Sequence, residues 1–257
     1  MITAQEIGVA IIESLRKSDK RTGRELFETT LKYIKFEKQF IENEYFEVAD
    51  KYSFFKTLDL LYDNAKNRNK FYFLHFEVHG DNNGLELQSG EEVDWSEILP
   101  YFEKINILYK NNLSIYLAVC EGNAVLRKVN PFSRSPFAYI VGSFFEIYER
   151  DTLYAFEQFY TTFFKEFKII EALEEMQKVA GKSNFTLISS HHILNMLLEI
   201  EKKHNDKKLL YNKLEELFPL HDRNDPFTNL IVQNIEKSIE SIFLKINEDY
   251  FLMKDLK

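Results

Sequence analysis

Two hydrophobic periods alternate along this chain. "IGVAIIE" (7–13) is a short apolar run rich in β-branched residues, which predicts a buried strand. In "TGRELFETTLKYIKF", Phe27, Leu31 and Ile34 recur at helical spacing. "NEYFEVAD" (43–50) predicts a second strand, and "SFFKTLDLLYDNAK" sets Phe54, Leu58, Leu61 and Tyr62 on one helical face. "KFYFLHFEVHG" is the strongest strand pattern in the sequence. Asn83-Gly84 and Ser89-Gly90 then flank a short alternating run, the signature of a small hairpin.

The alternation continues beyond the hairpin. Ser96 is the expected cap of a helix carrying Ile98, Phe102, Ile105 and Tyr109, with Pro100 near its start. "NLSIYLAVCEG" (112–122) and "PFAYIVGSFFEI" predict strands separated by a short helix through "NAVLRKVN". Asp151 or Thr152 should cap a long helix with Phe156, Phe159, Tyr160, Phe163, Phe167 and Ile170 on one side. "NFTLISSHH" reads as one more strand. From about residue 193 the pattern is helical only, with a stripe of Ile231, Ile235, Ile239, Ile242 and Ile246.

Strands alternating with amphipathic helices imply an α/β fold with a mostly parallel sheet of about six strands and helices on both faces. We expect an α/β domain over 1–195. Residues 196–257 should form a helical extension that packs on it or holds a partner.

Composition narrows the function. The 257 residues are 45% hydrophobic and 29% charged, an ordinary globular balance. A net charge of −8 argues against a nucleic-acid binder, and the basic cluster "SLRKSDKRTGR" reads as a solvated helix flank. No basic leader precedes an apolar core at the N-terminus, and no apolar run reaches roughly 18 residues. The expectation is a soluble, cytoplasmic protein without a membrane partner. Cys120 is the single cysteine, so no disulfide can form within the chain. No HExxH motif or cysteine cluster supports a metal site, and no Gly-rich phosphate loop follows the first strand. We therefore expect no metal and no cofactor. His191 and His192, as strand neighbours, would face opposite ways. His75 shares a strand face with His79 and reads as a core histidine.

Two strands end on reactive side chains. One ends on "VHGD", giving His79; the next on "AVCEG", giving Cys120. In open α/β sheets functional groups gather at the carboxyl ends of parallel strands. The two residues lie 120 − 79 = 41 positions apart, a length that suits a crossover between adjacent parallel strands. An imidazole beside a thiol can take its proton, so the pair predicts nucleophilic catalysis. Gly80 and the Cys120 N–H are the candidate oxyanion donors, and Gly122 is expected to permit the turn presenting the thiol.

These motifs resemble the caspase-like cysteine peptidases, the caspase–haemoglobinase fold group. The segment "HGDNNGLELQSGEEVDWSEI" is similar to their bacterial CHAT-type branch. The resemblance implies a three-layer sandwich over roughly residues 5 to 195. It gives His79 as the catalytic histidine, Cys120 as the nucleophile and Gly80 as the oxyanion-hole glycine. It also implies a protein substrate, with an activating or inhibiting protein partner, in bacterial stress, cell-death or phage-defence signalling. Ala118 stands where metacaspases carry an aspartate for basic P1 side chains. Asp81, Glu121, Gly122, Ser143 and Glu146 are the candidate substrate contacts, and the three acids among them favour a basic P1 residue. The cleavable linker that follows the cysteine in caspases is missing. Two readings remain beside the peptidase: a catalytically silent caspase-like scaffold that binds a partner, and a doubly wound small-molecule binder.

Overall fold

In the computed structural model of the chain, residues 7–130, 133–181, 184–195 and 248–256 are described. A central sheet runs in the order β2-β1-β3-β6-β7-β8, where β1 is Ile7–Ser14, β2 Glu44–Glu47, β3 Phe71–Gly80, β6 Ser114–Ala118, β7 Tyr139–Ser143 and β8 Phe185–Ser189. All pairings on this path are parallel except β7 with β8. Two short strands, β4 (Gly84–Glu86) and β5 (Glu92–Asp94), extend the end of β3 as an antiparallel meander.

Even-numbered residues of β3 (Tyr72, Leu74, Phe76, Val78) face one apolar layer with helices α3 (Lys51–Arg68) and α4 (Trp95–Leu108). The opposite layer holds α1 (Thr22–Leu26), which continues through a π-turn (Phe27–Leu31) into α2 (Lys32–Glu37). It also holds α5 (Glu149–Glu166) and α6 (Ile169–Val179), whose Phe156, Phe159, Tyr160, Phe164 and Met176 are buried. Covering both faces explains why the central strands read as nearly continuous apolar runs. The expected three-layer α/β architecture is the observed one.

Several boundaries differ from expectation. The cap of α4 is Asp94, two residues before Ser96: its carboxylate accepts the Ser96 N–H at 2.7 Å, and Glu97 reaches back to the Asp94 N–H at 3.0 Å. That reciprocal box satisfies two end donors, which a lone serine cannot do. α5 starts at Glu149, ahead of Asp151 and Thr152, with Tyr148 in the N-cap position. It stops at Glu166, because Phe167 turns left-handed with φ 56°. The stripe therefore breaks, leaving Phe167 and Ile170 exposed. His191 and His192 lie on a helical turn over 190–195, not on β8. Ser189 caps that turn by accepting the His192 N–H at 3.1 Å.

The isoleucine stripe at 231–246 lies outside the described residues. The last described segment, 248–256, packs on the α4 layer through buried Phe251 and Leu252. Arg134 fixes it with a bidentate bond to Asp255 at 2.7 and 2.8 Å.

Candidate active site

The site starts from a register. β3 and β6 pair Leu74 with Ile115, His75 with Tyr116, Phe76 with Leu117 and Glu77 with Ala118. The offset is 118 − 77 = 41, the separation of His79 and Cys120. The paired ladder ends at Glu77 and Ala118; His79 lies two residues further on β3 and Cys120 two residues further in the turn after β6, so both stand at the carboxyl rim of adjacent strands. Both residues are partly exposed, and Cys120 is a free thiol.

His79 has a partner that the sequence did not reveal. Its Nε2 lies 2.7 Å from Asp19 Oδ2, across 60 residues of chain. A carboxylate only accepts, so Nε2 is the donor in this bond, and in the neutral ring Nδ1 is then the acceptor nitrogen. The bond to His79 holds the Asp19 carboxyl below the usual carboxylate range. Asp19 sits on the loop between β1 and α1, inside the cluster expected to be a solvated flank. Part of that cluster is structural: Thr22 and Gly23 are buried, and Arg21 ties the loop by donating to the Leu15 and Arg16 carbonyls. Arg16 forms a bidentate pair with Glu86 on β4.

The thiol and the imidazole are not hydrogen-bonded to each other. In free enzymes such bonds are often long and tighten only with substrate bound. The Cys120 N–H donates to no carbonyl among the described residues, whereas its neighbour Glu121 donates to the Phe145 carbonyl at 3.0 Å. Glu121 adopts φ 53°, so the left-handed step of this turn falls on a glutamate. Gly122 was expected to permit that step. Its role is spatial instead: a Cβ there would stand 3.0 Å from Leu117 Cβ.

Gly80 has a similar reason to be bare, because a Cβ would meet Val119 Cγ1 at 2.5 Å. The Asp81 N–H donates to the Gly84 carbonyl across the β3–β4 turn. By strand alternation the Gly80 N–H points away from β4. Asp81 accepts the N–H groups of Asn83 and Gly84 and so builds that turn. Asp81 also helps wall a cleft of about 460 Å³ beside His79, with Arg16, Glu86, Glu92 and Asp94. Cys120 does not line this cleft. Glu146 is exposed; Ser143 is fully buried, and its hydroxyl accepts the Phe145 N–H at 3.0 Å. Among the described residues no cluster of acids, histidines and cysteine has the form of a metal site, and no helix is long and apolar enough to cross a membrane.

No family model matches the chain, and no curated protein matches it. The crystal structure of the Drosophila initiator caspase Dronc aligns with a TM-score of 0.51, covering 71% of this chain and 79% of that one at 14% identity. The fold is caspase-like. At this identity the likeness concerns the fold, and the chemistry of the rim rests on the residues themselves. Asp19, Glu13 and Glu77 were missed from sequence. The two glutamates left a signal, since each interrupts an otherwise apolar strand.

Proposed function

We propose that the chain is a cysteine endopeptidase in which Cys120 is the nucleophile and His79 the general base and acid. The observation that supports this reading is the 41-residue offset of the β3–β6 ladder, which equals the spacing of His79 and Cys120 and leaves both at the carboxyl ends of adjacent strands. In the reaction, Nδ1 of His79 takes the thiol proton as Sγ attacks the scissile carbonyl. The oxyanion receives the N–H groups of Cys120 and Gly80. The imidazolium then protonates the leaving amine, and water hydrolyses the thioester. Asp19 fixes the tautomer that this sequence requires, as an acceptor behind a catalytic histidine does in other hydrolases.

Protein substrates follow from this reading. The role as a regulated bacterial effector, acting with an activating or inhibiting partner, rests on the resemblance to the CHAT-type branch. The acids near the rim favour a basic P1 side chain. The test is cleavage of a peptide library, with a thiol-directed acyl probe, by wild type, Cys120→Ala and His79→Ala. Wild type should cleave and label at Cys120. Each variant should lose at least about 10³-fold in kcat/KM. Cleavage that survives Cys120→Ala overturns the mechanism. A folded wild type that neither labels nor cleaves favours the silent scaffold.

A further inference from the structure

Beneath the rim lies a polar column with no part in the chemistry above. Glu13 on β1 and Glu77 on β3 are direct register partners, and both are buried. Two adjacent buried carboxylates are costly unless every lone pair is engaged. Here they are densely engaged. Glu13 Oε1 accepts the Gly23 N–H at 2.7 Å and the Arg24 N–H at 3.3 Å, while Oε2 accepts the Tyr45 hydroxyl at 2.6 Å. Glu77 Oε2 accepts the Thr22 hydroxyl at 2.8 Å, and Oε1 lies 3.1 Å from His75 Nε2. The other nitrogen of His75 takes the Tyr160 hydroxyl at 2.8 Å.

Three of these partners, Thr22, Gly23 and Arg24, form the first turn of α1. Its own N-cap residue, Arg21, supplies no side-chain cap. A carboxylate from β1 takes over the orphan N–H groups, and its charge meets the positive end of the helix. Gly23 allows this contact: a Cβ there would stand 2.9 Å from both Glu13 Oε1 and Glu77 Cγ. The loop that leaves β1 and enters α1 is thus pinned at both ends, and Asp19 lies within it.

We infer that Glu13 and Glu77 form a carboxylate clasp that seats the start of α1 on the sheet and so holds Asp19 against His79. They are positioning residues, and the inference rests on the proposed peptidase chemistry only for its kinetic half. The clasp explains why strands of a hydrophobic sheet carry acids two residues below the rim. It also explains why Thr22 and Gly23 are buried inside a charged stretch.

Thr22→Val removes the hydroxyl that reaches Glu77 and keeps the side chain's shape; Thr22→Ser keeps the hydroxyl. Glu77→Gln is an independent second variant. The direct readout is the titration of the Asp19 carboxyl by carbon NMR on the full chain, with circular dichroism confirming the fold. Asp19 should titrate below the ordinary carboxylate range in wild type and Thr22→Ser, and move up in Thr22→Val and Glu77→Gln. On a cleaved peptide, kcat should fall about 10- to 100-fold in the same two variants with KM little changed. An unmoved Asp19 titration in either folded variant overturns the clasp; full kcat in a variant whose Asp19 has moved overturns its kinetic half. If Thr22→Val does not fold, Glu77→Gln decides alone. A wild type without peptidase activity whose Asp19 still moves in the variants upholds the clasp and removes the peptidase reading.

Discussion

The two faces of one sheet are built on opposite principles. On the α3/α4 face, β3 presents Tyr72, Leu74, Phe76 and Val78 to an apolar layer. On the α1/α5 face, the same strand presents Phe73, then His75, Glu77 and His79. That side begins as an aromatic cluster and becomes a column of hydrogen-bonded polar groups toward the rim. A uniform core stabilises through area and packing, whichever residue supplies them. A polar column stabilises only in one geometry, because each unpaired group inside it is costly. The difference teaches where precision is needed. The candidate reaction centre stands on the face whose side chains have directional partners.

The largest effect that distinguishes the faces should come from the apolar side. Phe76 is fully buried, and its ring centre lies 5.6 Å from that of Phe102 and 6.1 Å from that of Phe54. Phe76→Ala should cost about 3–5 kcal/mol through lost transfer energy and a cavity. Urea unfolding measures it. Asp19 lies on the loop opposite this layer, so its titration in the folded variant should stay at the wild-type position. A movement there would erase the distinction between the faces.

The contrast also shows what the sequence made legible. Strand and helix periods carried the layers, the parallel sheet and the meander, because apolar spacing is a local record of which face is covered. The 41-residue spacing of His79 and Cys120 was readable for the same reason: His79 lies near the end of β3, Cys120 in the turn just past β6, and the β3–β6 ladder has that offset. Asp19 was hidden because its only conspicuous property in sequence is its place among charges, and its bond to His79 spans 60 residues. Helix ends were misplaced where capping came from elsewhere, as with Asp94 and its box. Thr22 was unreadable because its burial depends on Glu77, which is 55 residues away.

A middle-sized effect tests whether the polar column needs its partners. Tyr160→Phe removes one hydroxyl and leaves His75 Nδ1 buried without a donor. The expected cost is about 1–3 kcal/mol, the penalty of an orphaned buried group. His75→Leu alone leaves the Tyr160 hydroxyl and Glu77 Oε1 without the imidazole. The double variant Tyr160→Phe/His75→Leu should cost less than the sum of the two singles, since it removes both partners of one bond. Strict additivity in urea titrations would show that the column is packed like the apolar face.

The smallest effect is a pH dependence carried by Glu13. Burial raises its carboxyl above the ordinary value of 4.5, and Glu77 adds to the rise; the Tyr45 hydroxyl and the N–H groups of Gly23 and Arg24 oppose it. Arg21 Nε stands 4.0 Å away on the same side. The folded chain therefore keeps this proton to higher pH than the unfolded chain does. The stability linked to that proton is complete below the ordinary carboxyl range, and it is lost as pH rises through the folded value. Asp19, Glu86, Asp94 and Glu97 are shifted down, so their contributions run the other way and are lost as pH falls. Comparing wild type with Glu13→Gln cancels those terms, because the glutamine keeps the acceptor for α1 and removes the titration. From about pH 4.5 upward wild type should lose stability relative to the variant, measured as the difference in urea midpoint at each pH. Parallel curves across that interval would mean that Glu13 shares no proton with the fold and that the clasp is held by hydrogen bonds alone.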